Sequence, residues 1–155
     1  MTGKVEARLA QLGIDLPEPA PAWANYLSYV GTGNLVFVSG QLSQLGSEKY
    51  QGKLGTDLSV EEGYRGARIC AINLLSHLRV ACGGDLDRVV RCVEVGGFVN
   101  SAPQFYDQPK VLNGASDLFF DVFAEAGRHT RFAVGVAALP FNFAVEVKAV
   151  FEVSC

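Results

Sequence analysis

Residues 130–153 read Thr130-Arg131-Phe132-Ala133-Val134-Gly135-Val136-Ala137-Ala138-Leu139-Pro140-Phe141-Asn142-Phe143-Ala144-Val145-Glu146-Val147-Lys148-Ala149-Val150-Phe151-Glu152-Val153. Two period-two alternations flank a turn at Leu139–Asn142. The first sets Phe132, Val134, Val136 and Ala138 against Arg131, Ala133, Gly135 and Ala137. The second sets Phe143, Val145, Val147, Ala149, Phe151 and Val153 against Ala144, Glu146, Lys148, Val150 and Glu152. Alternation of this kind marks strands, because successive side chains point to opposite faces. The bulky set of each strand is expected to face the core, and the small and charged sets to share the other face.

Working outward, Pro109 opens a helix whose stripe is Leu112, Ala115, Phe119, Val122 and Phe123, with Gly127 at its end. Val89–Val99 is β-rich, and Gly96-Gly97 suggests a bulge or a close backbone approach. Ser59-Val60-Glu61-Glu62 is a capping box, with reciprocal hydrogen bonds between residues 59 and 62. It starts a helix running to about Ala81, with the stripe Tyr64, Ala67, Ala71, Leu74, Leu75 and Leu78. Gly83-Gly84 stops it. Further back, Tyr26–Val30 and Leu35–Val38 flank Gly31-Thr32-Gly33-Asn34 and read as a hairpin. A polar loop is expected from there to about Asp57. A short amphipathic helix at 4–12 and a Pro17, Pro19, Pro21 arm precede the hairpin. The order ββ-α-β-α-ββ predicts a single α+β domain over 1–155. Its mixed sheet carries both helices on one face, with residues 1–24 as an added helix and arm.

Composition narrows the function. The chain has 155 residues, 49% hydrophobic and 19% charged, with a net charge of -3. This is globular composition with apolar surface to spare, for which a subunit interface is the expected home. The basic residues form no stripe, so no nucleic acid partner is expected. No apolar stretch approaches about 20 residues, so no membrane span is expected either. The first twelve residues lack the apolar centre of a signal peptide. Cys70, Cys82, Cys92 and Cys155 form no C-x-x-C pair and have no histidine at metal-ligand spacing. They read as buried or idle thiols of a cytoplasmic protein, with no metal site.

Few residues stand out as chemistry. Arg131 lies in an apolar strand, and its planar fork of donors suits a carboxylate. A structural ion pair, or plain exposure, fits the pattern as well. If the last two strands pair through Leu139–Asn142, Glu146 falls on the same side of the sheet as Arg131. There it either orients water or neutralises the arginine. Tyr26 fits ordinary strand packing, and Asn113 fits an exposed helix position. His129 follows a helix end, where cations serve the helix dipole. An acid–base pair with His77 has no support in the pattern.

Two stretches together resemble a known family. Gly33-Asn34-Leu35-Val36-Phe37-Val38-Ser39-Gly40-Gln41 is similar to the G-N-L-hydrophobic-S-G-Q signature of the Rid (reactive intermediate deaminase, YjgF-like) family. Arg131, Leu139-Pro140 and Val145-Glu146-Val147 are similar to its C-terminal pattern. The resemblance covers roughly residues 24–153. It implies a chorismate-mutase-like α+β fold and a homotrimer with ligand clefts between subunits. The implied activity is hydrolysis of 2-imino acids and their enamine tautomers to 2-oxo acids and ammonia, without metal or cofactor. Arg131 would grip the carboxylate of a small metabolite and Glu146 would hold water. Tyr26, Ser39, Gly40 and Asn113 match further cleft positions. A metabolite-binding module without turnover, and an endoribonuclease, are the alternatives; the acidic charge balance argues against the last.

The chemistry suits so sparse a site. A protonated imine is already electrophilic, so water needs placing more than activating. Three departures bear on the substrate. Phe132-Ala133 stands where many members have Ser-Cys. The loop 100–110 is longer, and the N-terminal helix and proline arm are extra.

Overall fold

The computed structural model describes residues 2–154. Helix α1 (Lys4–Gln11) starts at Gly3, which has no side chain to cap it. The Asp87 carboxylate accepts from the Lys4 and Val5 amides instead, both at 2.8 Å. These are the donors that every helix start leaves unpaired. The two bonds, Val5 first, hold the Asp87 carboxyl below its usual range. Leu9 and Ile14 bury themselves in the main core.

Strands β1 (Tyr29–Thr32) and β2 (Leu35–Leu42) form the expected hairpin around Gly33-Asn34, with Thr32 opposite Leu35. Tyr26 is not part of it. The Tyr26 amide donates to the Ala24 carbonyl at 2.9 Å, which closes a tight turn, so extended pairing begins only at Tyr29. Strand β2 runs past Val38, and its register against the last strand slips between Val38 and Gln41. The stretch expected to be loop contains a small ribbon, β3 (Gln44–Leu45) with β4 (Glu48–Lys49).

Helix α2 (Val60–Ala81) has the capping box complete: Ser59 accepts from the Glu62 amide and Glu62 accepts from the Ser59 amide. Replacing Ser59 with Ala is expected to cost about 1 kcal/mol, read as a lower urea midpoint at unchanged slope. Strand β5 (Val89–Asn100) follows, then helix α3 (Gln108–Phe123), strand β6 (Thr130–Val136) and strand β7 (Val145–Val153).

The five long strands lie in the order β1-β2-β7-β5-β6, antiparallel except for β5 with β6. The β5-α3-β6 segment is therefore a crossover unit, and its helix must lie on one face of the sheet. Both α2 and α3 cover that face, over a core that includes Leu74, Leu78, Leu112, Phe119, Val147 and Phe151. The α+β class, the mixed sheet and the one-sided helices are as expected. Gly96 and Gly97 mark close approaches rather than a bulge. A Cβ on Gly96 would overlap the Phe132 ring, and one on Gly97 would overlap Leu112. The register slips of β5 lie earlier, between Val89 and Arg91 and between Cys92 and Glu94.

Two expectations fail together. Strands β6 and β7 do not pair, because β5 lies between them. Strand β5 already takes the inner edge of β6, so the Leu139–Asn142 turn carries the chain past β5 to its other edge instead of folding it straight back. The faces of β6 are also reversed. Arg131 is level with buried Val95 and reaches α3, and Ala133 packs on the core. Phe132 and Val134 are exposed on the opposite face, where Phe132 meets Phe98 edge-to-face at 5.5 Å. Alternation separates two faces without saying which one a helix covers. Here α3 sits close over small residues, with Leu112 seated on Gly97.

Cys70, Cys82 and Cys92 are free and buried, and burial pushes the Cys92 thiol up to about 12. Cys155 lies outside the described residues. Among the described residues, no helix is long and apolar enough to cross a membrane.

Candidate functional site

The candidate residues fall into two groups. Glu146 heads the first, on the face of β7 turned away from the helices. Its neighbours in register are Leu42 on β2 and Phe98 on β5. Gly40 lies in the irregular part of β2, and a Cβ there would come 2.7 Å from Glu146 Oε2. The carboxylate therefore lies directly over Gly40, and no larger residue fits beneath it unless Glu146 moves. A strand irregularity beside a functional group is a common way to aim it. Glu146 makes no hydrogen bond or ion pair among the described residues. Burial raises its pKa above the usual carboxylate value.

Ser39 and Tyr26 complete this group. The Ser39 hydroxyl donates to the Leu27 carbonyl at 2.7 Å, and the Ser39 amide donates to the Ser28 carbonyl at 2.9 Å. Ser39 thus ties the segment after Tyr26 to β2. Tyr26, Ser39, Gly40 and Glu146 all line one cavity of about 430 Å³. The proline arm forms another of its walls.

Arg131 heads the second group. Its Nη1 donates to Asn113 Oδ1 at 2.9 Å and to Ser116 Oγ at 3.2 Å. Residues 113 and 116 are three apart, on one face of α3, so the helix presents both to the guanidinium. The network continues inward. Ser116 Oγ lies 2.9 Å from His129 Nε2, and His129 Nδ1 lies 2.7 Å from the Gly127 carbonyl oxygen. A carbonyl only accepts, so Nδ1 carries the proton. Nε2 of the neutral ring then accepts from the Ser116 hydroxyl. Burial, helped by the Arg131 charge and opposed by the Gly127 bond, lowers the His129 pKa and favours that neutral form. The guanidinium is thus held by neutral oxygens. Among the described residues it has no carboxylate partner, and it is exposed in a shallow depression with Ser116, Asp117 and His129.

Within one chain the two groups do not meet. Arg131 is level with Val95 and Glu146 with Phe98, on either side of β5 and on opposite faces of the sheet. At usual strand spacing and rise their Cα atoms are roughly 14 Å apart. The expected same-face arrangement is therefore corrected, and so is the mutual salt bridge. His77 and His129 also sit in different depressions, which removes the two-histidine pair. Ser116 escaped the sequence reading, although its spacing from Asn113 on a helix was the available signal. Trp23, Phe141 and His77, which line the Glu146 cavity, carried no signal along the chain: only the fold brings them together.

A mixed sheet backed by two helices, with this strand order, defines the chorismate-mutase-like class. The chain belongs to the family described as "YjgF/chorismate mutase-like, putative endoribonuclease", which matches residues 6–153. It is 50% identical to Protein TCP17 of Trypanosoma cruzi over 156 residues, covering 99% of this chain and 96% of that protein. The solved structure of Atu1372 from Agrobacterium tumefaciens, of unknown function, is 42% identical with a TM-score of 0.91, over 97% of this chain and 93% of that one. A "putative endoribonuclease" from Shewanella oneidensis is 37% identical with a TM-score of 0.92, over 96% of this chain and 99% of that one.

Proposed function

We propose that the protein is a hydrolytic deaminase of 2-imino and enamine acids, working in clefts between the subunits of a homotrimer. The observation that carries this reading is the split site. Arg131 is a charged group held in place but given no anion, and Glu146 is a half-buried carboxylate given no cation. A half-buried carboxylate without a partner is costly, so Glu146 calls for one, and the exposed Arg131 fork is free to take an anion that no described residue of the chain supplies. A substrate lying between two subunits answers both needs. Its carboxylate would take the two parallel donors of Arg131 from one subunit. Its imine carbon would face Glu146 and Tyr26 of the neighbour. The exposed apolar side chains on the outer sheet face, Val30, Phe37, Phe132 and Val134, fit burial against such neighbours.

The chemistry then needs little more. Water held by the Glu146 carboxylate adds to the carbon of the protonated C=N, passing a proton to the carboxylate. The carbinolamine nitrogen takes that proton and leaves as ammonia, while the carbinolamine O–H gives its proton to the freed Glu146 carboxylate and the C=O of the 2-oxo acid forms. The proton then passes from Glu146 to the ammonia, which departs as ammonium. No electrons are exchanged. Arg131 and Asn113 fix the carboxylate end, and positioning supplies most of the acceleration. Under this reading the site lies in the cytoplasm and needs no cofactor.

The assay generates 2-imino acids in situ with an amino-acid oxidase and follows loss of the imine. Equal decay with and without the protein, across several parent amino acids, would remove the deaminase reading. The pH profile is a second check. Glu146 must be ionised to hold water, and its folded pKa is raised above 4.5. The rate should therefore fall as pH drops through that raised value, on the high side of 4.5. Stability moves the other way. The folded state binds this proton more tightly than the unfolded chain, so protonation adds stability as pH falls from above the folded pKa toward 4.5. Glu146→Gln should remove the activity and flatten the stability trend, measured by urea midpoints across the same pH series.

A further inference from the structure

The Glu146 cavity is larger than a three-carbon imino acid needs. Its volume of about 430 Å³ lies in the range of pockets for drug-sized ligands. Beyond Glu146 the wall changes character. Pro17, Pro19 and Pro21 of the arm form one side, and the rings of Trp23 and Phe141 form another. The two rings meet edge-to-face, 5.3 Å between centroids and 75° between planes. Both are strongly exposed, so they rim the opening.

The backbone at Phe141 is unusual. Phe141 has φ 56° and ψ 23°, and Asn142 follows with φ 60°. A bulky side chain pays for the left-handed region, and a pair of such residues persists only where the surroundings hold it. Here three hydrogen bonds do so. Gln51 Nε2 donates to the Phe141 carbonyl at 2.9 Å, the Gly52 amide to the Asn142 carbonyl at 2.7 Å, and Asn100 Nδ2 to Asn142 Oδ1 at 3.2 Å. The strained turn holds the Phe141 ring against Trp23 at the cavity. Glycine would fit this backbone more comfortably, yet a phenylalanine stands there.

One more polar group lines the cavity. His77 is only 5% exposed and lines the same space. Its ring makes no hydrogen bond among the described residues. Its neighbours on α2 are already committed, Asn73 to the Leu42 and Gln44 carbonyls and Ser76 to the Ile72 carbonyl. The ring nitrogens are not sealed off from solvent, so they are open to a ligand atom in the cavity.

We propose that this cavity selects substrates with a large aromatic side chain, so that the preferred class is aromatic 2-imino acids. The proposal rests on the deaminase reading and narrows it. The ring of the substrate lies between the proline arm and the Trp23–Phe141 pair, where edge-to-face and stacked contacts are favourable. A hydrogen-bonding atom on that ring, such as a phenol or indole, meets His77. Phe141 and Trp23 are specificity determinants that touch only the side chain, away from the reacting carbon.

The test compares kcat/KM for imines generated from phenylalanine, tyrosine, tryptophan, alanine and serine. The wild type should favour the aromatic imines over the alanine imine by tenfold or more. Phe141→Gly and Trp23→Ala should bring that ratio down toward one. Phe141→Gly is the cleaner variant, because glycine accepts φ 56° without strain and the turn should keep its shape. A wild type that favours the alanine or serine imine overturns the proposal, as does an aromatic ratio that survives both substitutions. If the wild type turns over no imine at all, the deaminase reading has failed and the pocket is tested by calorimetry. Phenylpyruvate binding at least tenfold tighter than pyruvate, with the advantage lost in Phe141→Gly, then supports the pocket. Equal affinities overturn it.

Discussion

Replacing Arg131 with Ala is expected to lower kcat/KM for 2-imino acids by about 10²–10³-fold while leaving the fold intact. The magnitude follows from the loss of a bidentate, charge-assisted pair with the substrate carboxylate, worth roughly 3–4 kcal/mol. The fold should survive because Arg131 is exposed and its bonds are to the neutral oxygens of Asn113 and Ser116. Thermal unfolding and circular dichroism should therefore match the wild type. Lysine at this position should recover only part of the rate, since it has the charge without the planar fork. Mixing carries the sharper information. Arg131→Ala and Glu146→Gln subunits, each inactive alone, should regain activity when unfolded and refolded together. Some clefts of the mixed assembly would then unite an intact Arg131 with an intact Glu146. No recovery in refolded mixtures that contain both subunit types would place the two residues in separate functions.

Gly114→Ala is expected to be the most destabilising small substitution in the chain's helices. A Cβ on Gly114 would overlap the Tyr64 carbonyl oxygen and press on the Arg68 amide at 3.1 Å. These are backbone atoms of α2, so no side-chain rotation relieves the clash and the two helices must separate. That separation reaches the core, where Val111, Leu112, Ala115 and Leu118 of α3 are all fully buried. Overpacking of this kind costs about 1–3 kcal/mol where side chains can yield, and the upper end or more where they cannot. Loss of at least about 3 kcal/mol in urea unfolding is the expected result. Gly31→Ala is the control. Its nearest neighbour to a new Cβ is 4.0 Å away, and a change within about 0.5 kcal/mol is expected. Equal effects at both positions would mean that the helix crossing tolerates more than its geometry suggests.

The elements were legible in the chain because each carried its own local signal. The capping box at Ser59 and Glu62, the stripe of α2 and the alternation of β7 are short-range patterns that the packed structure had only to accept. Pairing was another matter. Nothing in residues 130–153 says that β5, forty residues earlier, will come between β6 and β7. Nor did alternation say which face of β6 the helix would cover, because Phe132 and Arg131 lie on opposite faces of an edge strand. The early end assigned to β1 failed for a local reason, the tight turn at Tyr26. The site followed the same division. Arg131, Glu146, Ser39 and Gly40 stood out by motif. Ser116 and His129 became its supports only through α3, and Trp23 met Phe141 only when the arm folded back across the chain.

The split between the two halves of the candidate site also bears on symmetry. An arginine patch and a glutamate patch on different parts of one surface are unlike, and a two-fold axis pairs each with the other chain's opposite patch only when both lie in the one shared interface. Two subunits related that way could join both patches only if each one reached across the axis to the other. For the proposed cleft between subunits, the simpler joining is head-to-tail, each chain giving one patch and receiving the other. Such contacts either close into a ring or grow without limit. In a closed ring every arginine finds a glutamate and no end is left over, so the number of complete clefts equals the number of chains.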